Sequence, residues 1–240
     1  MRTLFISDVH LHESRPQITR AFFEFLHGIQ EDVDALYILG DFFDAWVGDD
    51  DDAPLNADVA AELKLLSQRG TKIFLMHGNR DFLLGEQFAA QAGAKIIAEN
   101  TVIDLYGQPT LLLHGDELCT GDQEYIAFRK QVRSPQWQAQ ILAQPLAARR
   151  ALAAQMREKS QAMNSLKAED IMDVTPDEVV RVMADAGVTR LIHGHTHRPA
   201  RHALNIRATS AERIVLGDWH DNAWVLIATK DELTLTHWAI

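Results

Sequence analysis

Five times in this 240-residue chain a short apolar run gives way at once to a cluster of carboxylate, amide or imidazole groups. The runs are TLFIS (3–7), LYIL (36–39), KIFLM (72–76), TLLL (110–113) and RLI (190–192), and SDVH, GDFFD, HGNRD, HGD and HGHTH stand at their ends. Unbroken apolar runs of this length suit strands buried on both faces. The stretches near 17–29 and 55–69 are amphipathic, with Pro16 and Pro54 near their starts, where a missing N–H costs little. They read as crossover helices. Past residue 200 only short strands fit, in RIVLG, AWVLIA and ELTLTHWAI. The pattern predicts an α/β chain with a mixed sheet or two packed sheets. Sheets of this kind place their sites beyond the carboxyl ends of the strands, where the clusters lie. Gly40, Gly78, Gly115 and Gly194 let the backbone turn tightly there.

The donors at those ends are Asp8, His10, Asp41, Asn79, His114, His195 and His197. Asp, Asn and His without Cys describe a mixed oxygen and nitrogen site for Mn²⁺, Fe²⁺ or Zn²⁺, and the missing thiolate argues against a structural zinc. Seven donors are too many for one ion. Two ions about 3.5–4 Å apart, sharing a carboxylate, would use them, and such pairs promote in-line displacement at phosphorus. Alternation along a strand tip is expected to turn Asp8 and His10 to one side, and His195 and His197 likewise. Asp44 lies close enough to orient a ligand or water, and His77 and His193 suit a supporting role. LGDW (216–219) imitates the LGD at 39–41 but lacks a partner nearby apart from His220, so it is set aside. His12, His27, His202 and His237 read as surface or packing histidines.

The order D-x-H, GDxxD, GN, H and GHxH across residues 8–197 resembles the calcineurin-like metallophosphoesterases. The resemblance implies a β-sandwich flanked by helices, in one domain over 1–240. It implies one metal on Asp8, His10, Asp41 and His197 and another on Asp41, Asn79, His114 and His195, with Asp41 bridging. Within the family, SDVHL, GDFFDAWVGDD, GNRDFLLG, LLHGD and IHGHTHRP are similar to pyrophosphohydrolases that act on a lipid-linked UDP-sugar in lipid A synthesis. Such enzymes use two Mn²⁺ ions and release UMP and an acylated sugar 1-phosphate by attack at the uridine-side phosphorus. The likeness also implies substrate contacts at Asn79, Arg80, Asp122, Tyr125, Ser160, Asn164, Lys167 and His195. Other nucleotide diphosphates or phosphodiesters remain alternative substrates, and a non-catalytic membrane-docking module is a third reading.

The family commonly has GNH where this chain has GNRD. Expelling an alkoxide calls for a proton donor, worth roughly 10²–10⁴ in rate. A phosphate monoester, with a second pKa of about 6, departs without a proton and needs only its charge stabilised. A planar guanidinium does that well and cannot release a proton. Arg80 therefore fits P–O–P cleavage, with Asp41 and His195 completing the catalytic set. The competing role for Arg80 is to brace its loop against Asp81 or Asp44.

Residues 122–168 read as an inserted helical lid. From Tyr125 to Ala168 there are eight Lys and Arg against one acid, Glu158, in a chain of formal charge −11. Pro135 and Pro145 mark breaks between helices. Ser160, Asn164 and Lys167 recur at i, i+4 and i+7 on one helical face. Phe128, Trp137, Ile141, Leu142, Leu146, Leu152, Met156 and Met163 either line a slot for acyl chains or pack the helices onto the body. Arg149, Arg150 and Arg157 are expected to face an anionic membrane, where each contributes about 1 kcal/mol. The net negative charge argues against nucleic acid as a partner. A lone cysteine, Cys119, excludes an internal disulfide and fits a reducing compartment. No basic leader precedes the first strand, and no apolar run approaches the roughly 18–20 residues of a membrane span. The expected protein is cytoplasmic, peripheral to the inner membrane on its cytoplasmic side, with no obligate protein partner.

Overall fold

The computed structural model describes residues 1–164 and 173–240, with side chains through 160 and from 173 onward. The chain runs β1 (Arg2–Ile6), α1 (Pro16–Gly28), β2 (Val33–Leu39), α2 (Pro54–Gln68), β3 (Lys72–Met76), α3 (Glu86–Ala92), β4 (Ala94–Ile96), β5 (Thr101–Leu105) and β6 (Gln108–Leu112). It continues through α4 (Gln123–Val132), α5 (Pro135–Leu142), α6 (Leu146–Asn164), α7 (Pro176–Ala186), β7 (Arg190–His193), β8 (Ala200–Ile206), β9 (Thr209–Val215), β10 (Asn222–Ala228) and β11 (Leu233–Ala239). Two mixed sheets result, one ordered β11-β10-β1-β2-β3-β4 and the other β5-β6-β7-β9-β8. In the first, β1 to β4 are parallel; in the second, β6, β7 and β9 are.

The apolar runs are continuous because both faces of their strands are covered. On β1, Phe5 joins Leu39, Met76, Leu112, Ile192 and Ile214 in the layer between the sheets. Its neighbours Leu4 and Ile6 turn outward and pack with Ile18, Phe22, Leu63 and Phe88 of α1, α2 and α3. On the far side, Leu111 and Leu191 meet Val179, Val182 and Met183 of α7. Burial of a side chain such as Phe22 or Leu36, neither exposed at all, is worth about 1.5–3 kcal/mol. Each crossover helix begins at its proline, and α7 starts at Pro176 and closes at Gly187 in the left-handed region. The strands missing from the sequence reading, β4, β5 and β8, all lie at sheet edges or next to solvent, where polar residues break the apolar signature.

The acidic run at 49–52 corrects one expectation. Arg149 is 4% exposed, and its guanidinium donates to the Val47 carbonyl at 2.6 Å, to the Gln144 carbonyl at 2.9 Å and to Asp50 at 2.7 Å. Arg150 pairs with Asp51 and with Asp52 at 2.6 Å, and Arg157 pairs with Asp44. These three arginines fasten α6 to the body, and Arg149, being buried, is not available to a membrane surface. The remaining member of the acidic run has work of its own. Asp49 accepts from the Gly85 and Phe88 amides at the start of α3 and from the Trp46 indole.

Candidate metal centre

All seven predicted donors stand just beyond strand ends: Asp8 and His10 after β1, Asp41 after β2, Asn79 after β3, His114 after β6, and His195 and His197 after β7. The two sheets bring these ends to one edge, and the donors converge there. His197 Nε2 lies 3.3 Å from His10 Nε2 and 3.4 Å from Asp8 Oδ1. Asn79 Oδ1 sits 2.9 Å from His114 Nε2 and 2.8 Å from His195 Nδ1. Asp41 reaches both sides, with Oδ2 3.9 Å from His10 Nδ1 and Oδ1 3.7 Å from His114 Nε2. Two sets have ligand atoms mutually within 4.8 Å: Asp8, His10 and His197, and Asp8, Asp41 and His114. In this arrangement Asp8 is common to both.

Alternation is not what gathers them. β1 ends at Ile6, and Asp8 and His10 follow it with φ of 53° and 50°. Asp41, His195 and His197 share this left-handed backbone at 49°, 69° and 54°. For residues with a Cβ such conformations cost about 1–3 kcal/mol each and persist where the surroundings impose them. Here loop-to-loop bonds impose them: the Asp8 amide donates to the Gly40 carbonyl, His10 to Asp41, and Gly194 to His114. The loops approach closely only because of glycine. A Cβ on Gly78 would lie 2.1 Å from the Asp41 amide nitrogen, and one on Gly194 would lie 2.3 Å from Asp8 Oδ2.

The donor set fits divalent cations. Asp8, Asp41 and His114 are buried, and Asp8 Oδ1 and His10 Nδ1 are shielded from solvent without a hydrogen bond of good geometry among the described residues. Such groups are costly unless something charged completes them. Burial raises the Asp41 pKa to about 7, with Asp81 and Asp8 adding to the effect. Burial opposes charge on His114, but Asp41, Asp8 and Asp116 outweigh it and hold its pKa at about 9. His195 is pushed down to about 4 by burial and then by His114, so it is neutral at pH 7. The Leu39 carbonyl accepts from His114 Nδ1 at 2.9 Å, which turns Nε2 inward toward Asn79 and Asp41.

Arg80 and Asp81 make different contacts in this loop. Asp81 is the brace, accepting from the Gly78 and Phe42 amides at 2.7 Å each and from Phe43 at 3.3 Å. The Arg80 amide donates to Asp41 Oδ1 at 2.8 Å, which places the residue beside the donors. Its guanidinium stands 3.5 Å from both Asp41 Oδ2 and Asp44 Oδ1, longer than a good hydrogen bond, with the side chain 29% exposed. Asp44 is also met by Arg15 at 3.1 Å and by Arg157.

From Asn79 and Arg80 a cavity of about 480 Å³ runs between the body and α4–α6. Asp122, Tyr125 and Ser160 line it, as do Phe82, Phe128, Trp137, Ile141, Leu152 and Met156. Leu142 is instead 43% exposed. Lys167 lies outside the described residues, as do the side chains of Asn164 and Met163. The Tyr125 ring stacks on His195 with centroids 6.2 Å apart, and its hydroxyl donates to Asp116.

Sequence reasoning missed Asp218. The segment set aside, LGDW, docks on the centre: the Trp219 amide donates to the Asp8 carbonyl at 3.0 Å, the Leu216 amide donates to that of His193 at 2.7 Å, and Asp218 Oδ2 lies 3.4 Å from His197 Nδ1. Asp116 was also missed; it is buried and receives Tyr125 and Arg129. Neither has a distinctive motif, and only the fold supplies their partners.

The calcineurin-like phosphoesterase family pattern matches residues 1–199. A UDP-2,3-diacylglucosamine hydrolase of Cellvibrio japonicus is 69% identical over 240 residues, covering all of both chains. Proteins of the same description from Marinobacter nauticus and Pseudomonas aeruginosa PAO1 are 56% and 51% identical; they cover 97% and 94% of this chain, and 95% and 94% of their own. Among solved structures, an archaeal phosphodiesterase aligns over the whole of both chains with a TM-score of 0.50 at 14% identity, a likeness of fold alone.

Proposed function

The chain belongs to the calcineurin-like phosphoesterase family, and from that premise we propose that it hydrolyses the diphosphate of UDP-2,3-diacylglucosamine to UMP and 2,3-diacylglucosamine 1-phosphate. The observation that carries this reading is the continuity of the donor cluster with a largely apolar cavity, Arg80 standing where they meet. A diphosphate laid across the donors leaves its acylated sugar inside that cavity.

Two Mn²⁺ ions, one on Asp8, His10, Asp41 and His197 and one on Asp41, Asn79, His114 and His195, would supply Lewis-acid charge and an acidified water for attack. The remaining roles belong to side chains. Arg80 holds charge on the diphosphate oxygens as the P–O bond breaks, and the departing sugar phosphate takes no proton. His195, neutral at pH 7, donates or accepts beside the attacked uridine-side phosphorus, its ring backed by Tyr125. Residues 122–168 act as the lid, with Asp122, Ser160, Asn164 and Lys167 holding the sugar and its acyl carbonyls. Trp137, Phe128 and Met156 take the chains. No described helix is long and apolar enough to cross a membrane. Contact with the cytoplasmic face of the inner membrane then comes through the lipid substrate.

Hydrolysis in ¹⁸O-labelled water with Mn²⁺, followed by mass measurement of both products, tests this. Label enters UMP, and chelation abolishes turnover until Mn²⁺ is restored. Label in the sugar phosphate would overturn the site of attack. Arg80→Ala lowers kcat about 10²–10³-fold, the usual cost of one preorganised charge-stabilising donor. Near-normal turnover would sink the leaving-group argument.

A further inference from the structure

A second hollow, of about 240 Å³, adjoins the donor cluster at Thr196. The apolar cavity lies past the loop after β3, and this hollow lies past the loop after β7. Thr196, which stands between His195 and His197, lines it together with Arg198, His202 and Arg213. On β9, Ala211 packs outward with α7 and Ile214 packs inward. Alternation therefore sends Arg213 to the outer face. It stands directly across from His202 on β8.

Polar atoms here want partners. Arg213 Nη1 and Thr196 Oγ1 are shielded from solvent and, among the described residues, make no hydrogen bond. Asp173, the acid of the hollow, already holds Arg198 at 2.6 Å. Burial lowers the Arg213 pKa against the pull of Asp173, as expected for a guanidinium with too little counter-charge. Both residues are half-buried, and shielded donor atoms of this kind are satisfied by an incoming anion or polar oxygen.

We propose that this hollow is the subsite for the nucleotide half of the substrate, with Arg213 and the Thr196 hydroxyl donating to the phosphate and ribose oxygens of the uridylate. This rests on the diphosphatase reading. The two hollows differ as the halves of such a substrate differ. One is large and lined by the aromatic rings of Phe82, Phe128 and Trp137, and the other is smaller and lined by Thr196, Arg198, His202 and Arg213 around the single acid Asp173, the first touching the donor loop after β3 and the second the donor loop after β7. In a chain of formal charge −11, a polyanionic product needs such a local reversal to bind.

The test is UMP binding to the Mn²⁺-loaded protein by calorimetry, together with KM and kcat on the lipid-linked substrate, for wild type, Arg213→Gln and Arg213→Lys. Arg213→Gln weakens UMP at least tenfold and raises KM by a similar factor, while kcat moves less than threefold. Arg213→Lys recovers part of the affinity. Arg201→Gln, an exposed neighbour paired with Glu212 at 2.7 Å, behaves as wild type. Unchanged UMP affinity in folded Arg213→Gln overturns the subsite. Should Arg213→Gln melt early, unchanged affinity in Arg213→Lys, which cannot offer a planar fork, overturns it equally. A wild type that binds UMP through Arg213 yet leaves the lipid-linked substrate intact would refute the activity and not the subsite.

Discussion

Arg149 offers the sharpest separation between a structural role and a membrane-facing one. Its side chain is 3% exposed and lies under Gly48, whose φ is +134°. A Cβ on Gly48 would come within 2.2 Å of Arg149 Nη1, so the loop is shaped to admit the guanidinium. Arg149→Met keeps the apolar stem and removes the donors. The bond to the buried Val47 carbonyl at 2.6 Å is a charged hydrogen bond in a place water does not reach, worth about 1.5–3 kcal/mol. Asp50 is 65% exposed and Gln144 faces solvent, so each of those contacts adds only about 0–1 kcal/mol. The expected loss is about 3 kcal/mol, a fall in Tm of roughly 6–12 °C for a chain of this size. Asp50→Asn costs less than about 1 kcal/mol. Urea unfolding followed by circular dichroism measures both, with sedimentation on anionic vesicles run beside it. Equal costs for the two variants would refute the argument from burial. An Arg149→Met protein of full stability that no longer binds vesicles would restore the membrane-facing role.

Three further outcomes follow from the centre itself. Asp218→Asn weakens Mn²⁺ affinity about 10–100-fold, the usual cost of losing the carboxylate behind a ligating histidine; titration calorimetry reads it, and unchanged affinity would deny that Asp218 acts through His197. Gly194→Ala, by driving a methyl against Asp8 Oδ2 and Ser7 Oγ, abolishes tight cation binding, and retention of it would mean the loops can part cheaply. Cation uptake releases protons at pH 7, because Asp41 with a pKa raised to about 7 and His114 at about 9 both hold protons that a cation displaces. Protonated ligands compete with the ion, so apparent affinity falls as pH drops through these values and climbs toward pH 9. Binding heats that do not vary with the ionisation enthalpy of the buffer would contradict this.

Much of the site was legible because its chemistry is written in residue types placed after apolar runs. Asp8, Asp41, Asn79, His114 and His195 each follow a strand whose two-sided burial requires an unbroken apolar stretch, and a period of that kind survives in sequence. The edge strands β4, β5 and β8 did not show, since an edge open to solvent tolerates polar residues such as Arg201, His202 and Asn205. Nor did the purpose of Arg149, Arg150 and Arg157, which read as a basic surface until their acids, about a hundred residues earlier, came into contact with them.

The sequence by itself determined the α/β architecture and placed seven candidate donors, and Arg80 beside them, just after its strands, because these depend on local pattern and on what each side chain can do chemically. Tertiary structure decided which carboxylate meets which cation, that Asp81 ties the Gly78 turn to Phe42 and Phe43 while Arg80 stands between Asp41 and Asp44, and that Asp218 backs His197. It also replaced strand alternation with left-handed backbone at Asp8, His10, Asp41, His195 and His197. Those outcomes turn on contacts between residues far apart in the chain. Their energies come from burial and mutual approach, which no local pattern records.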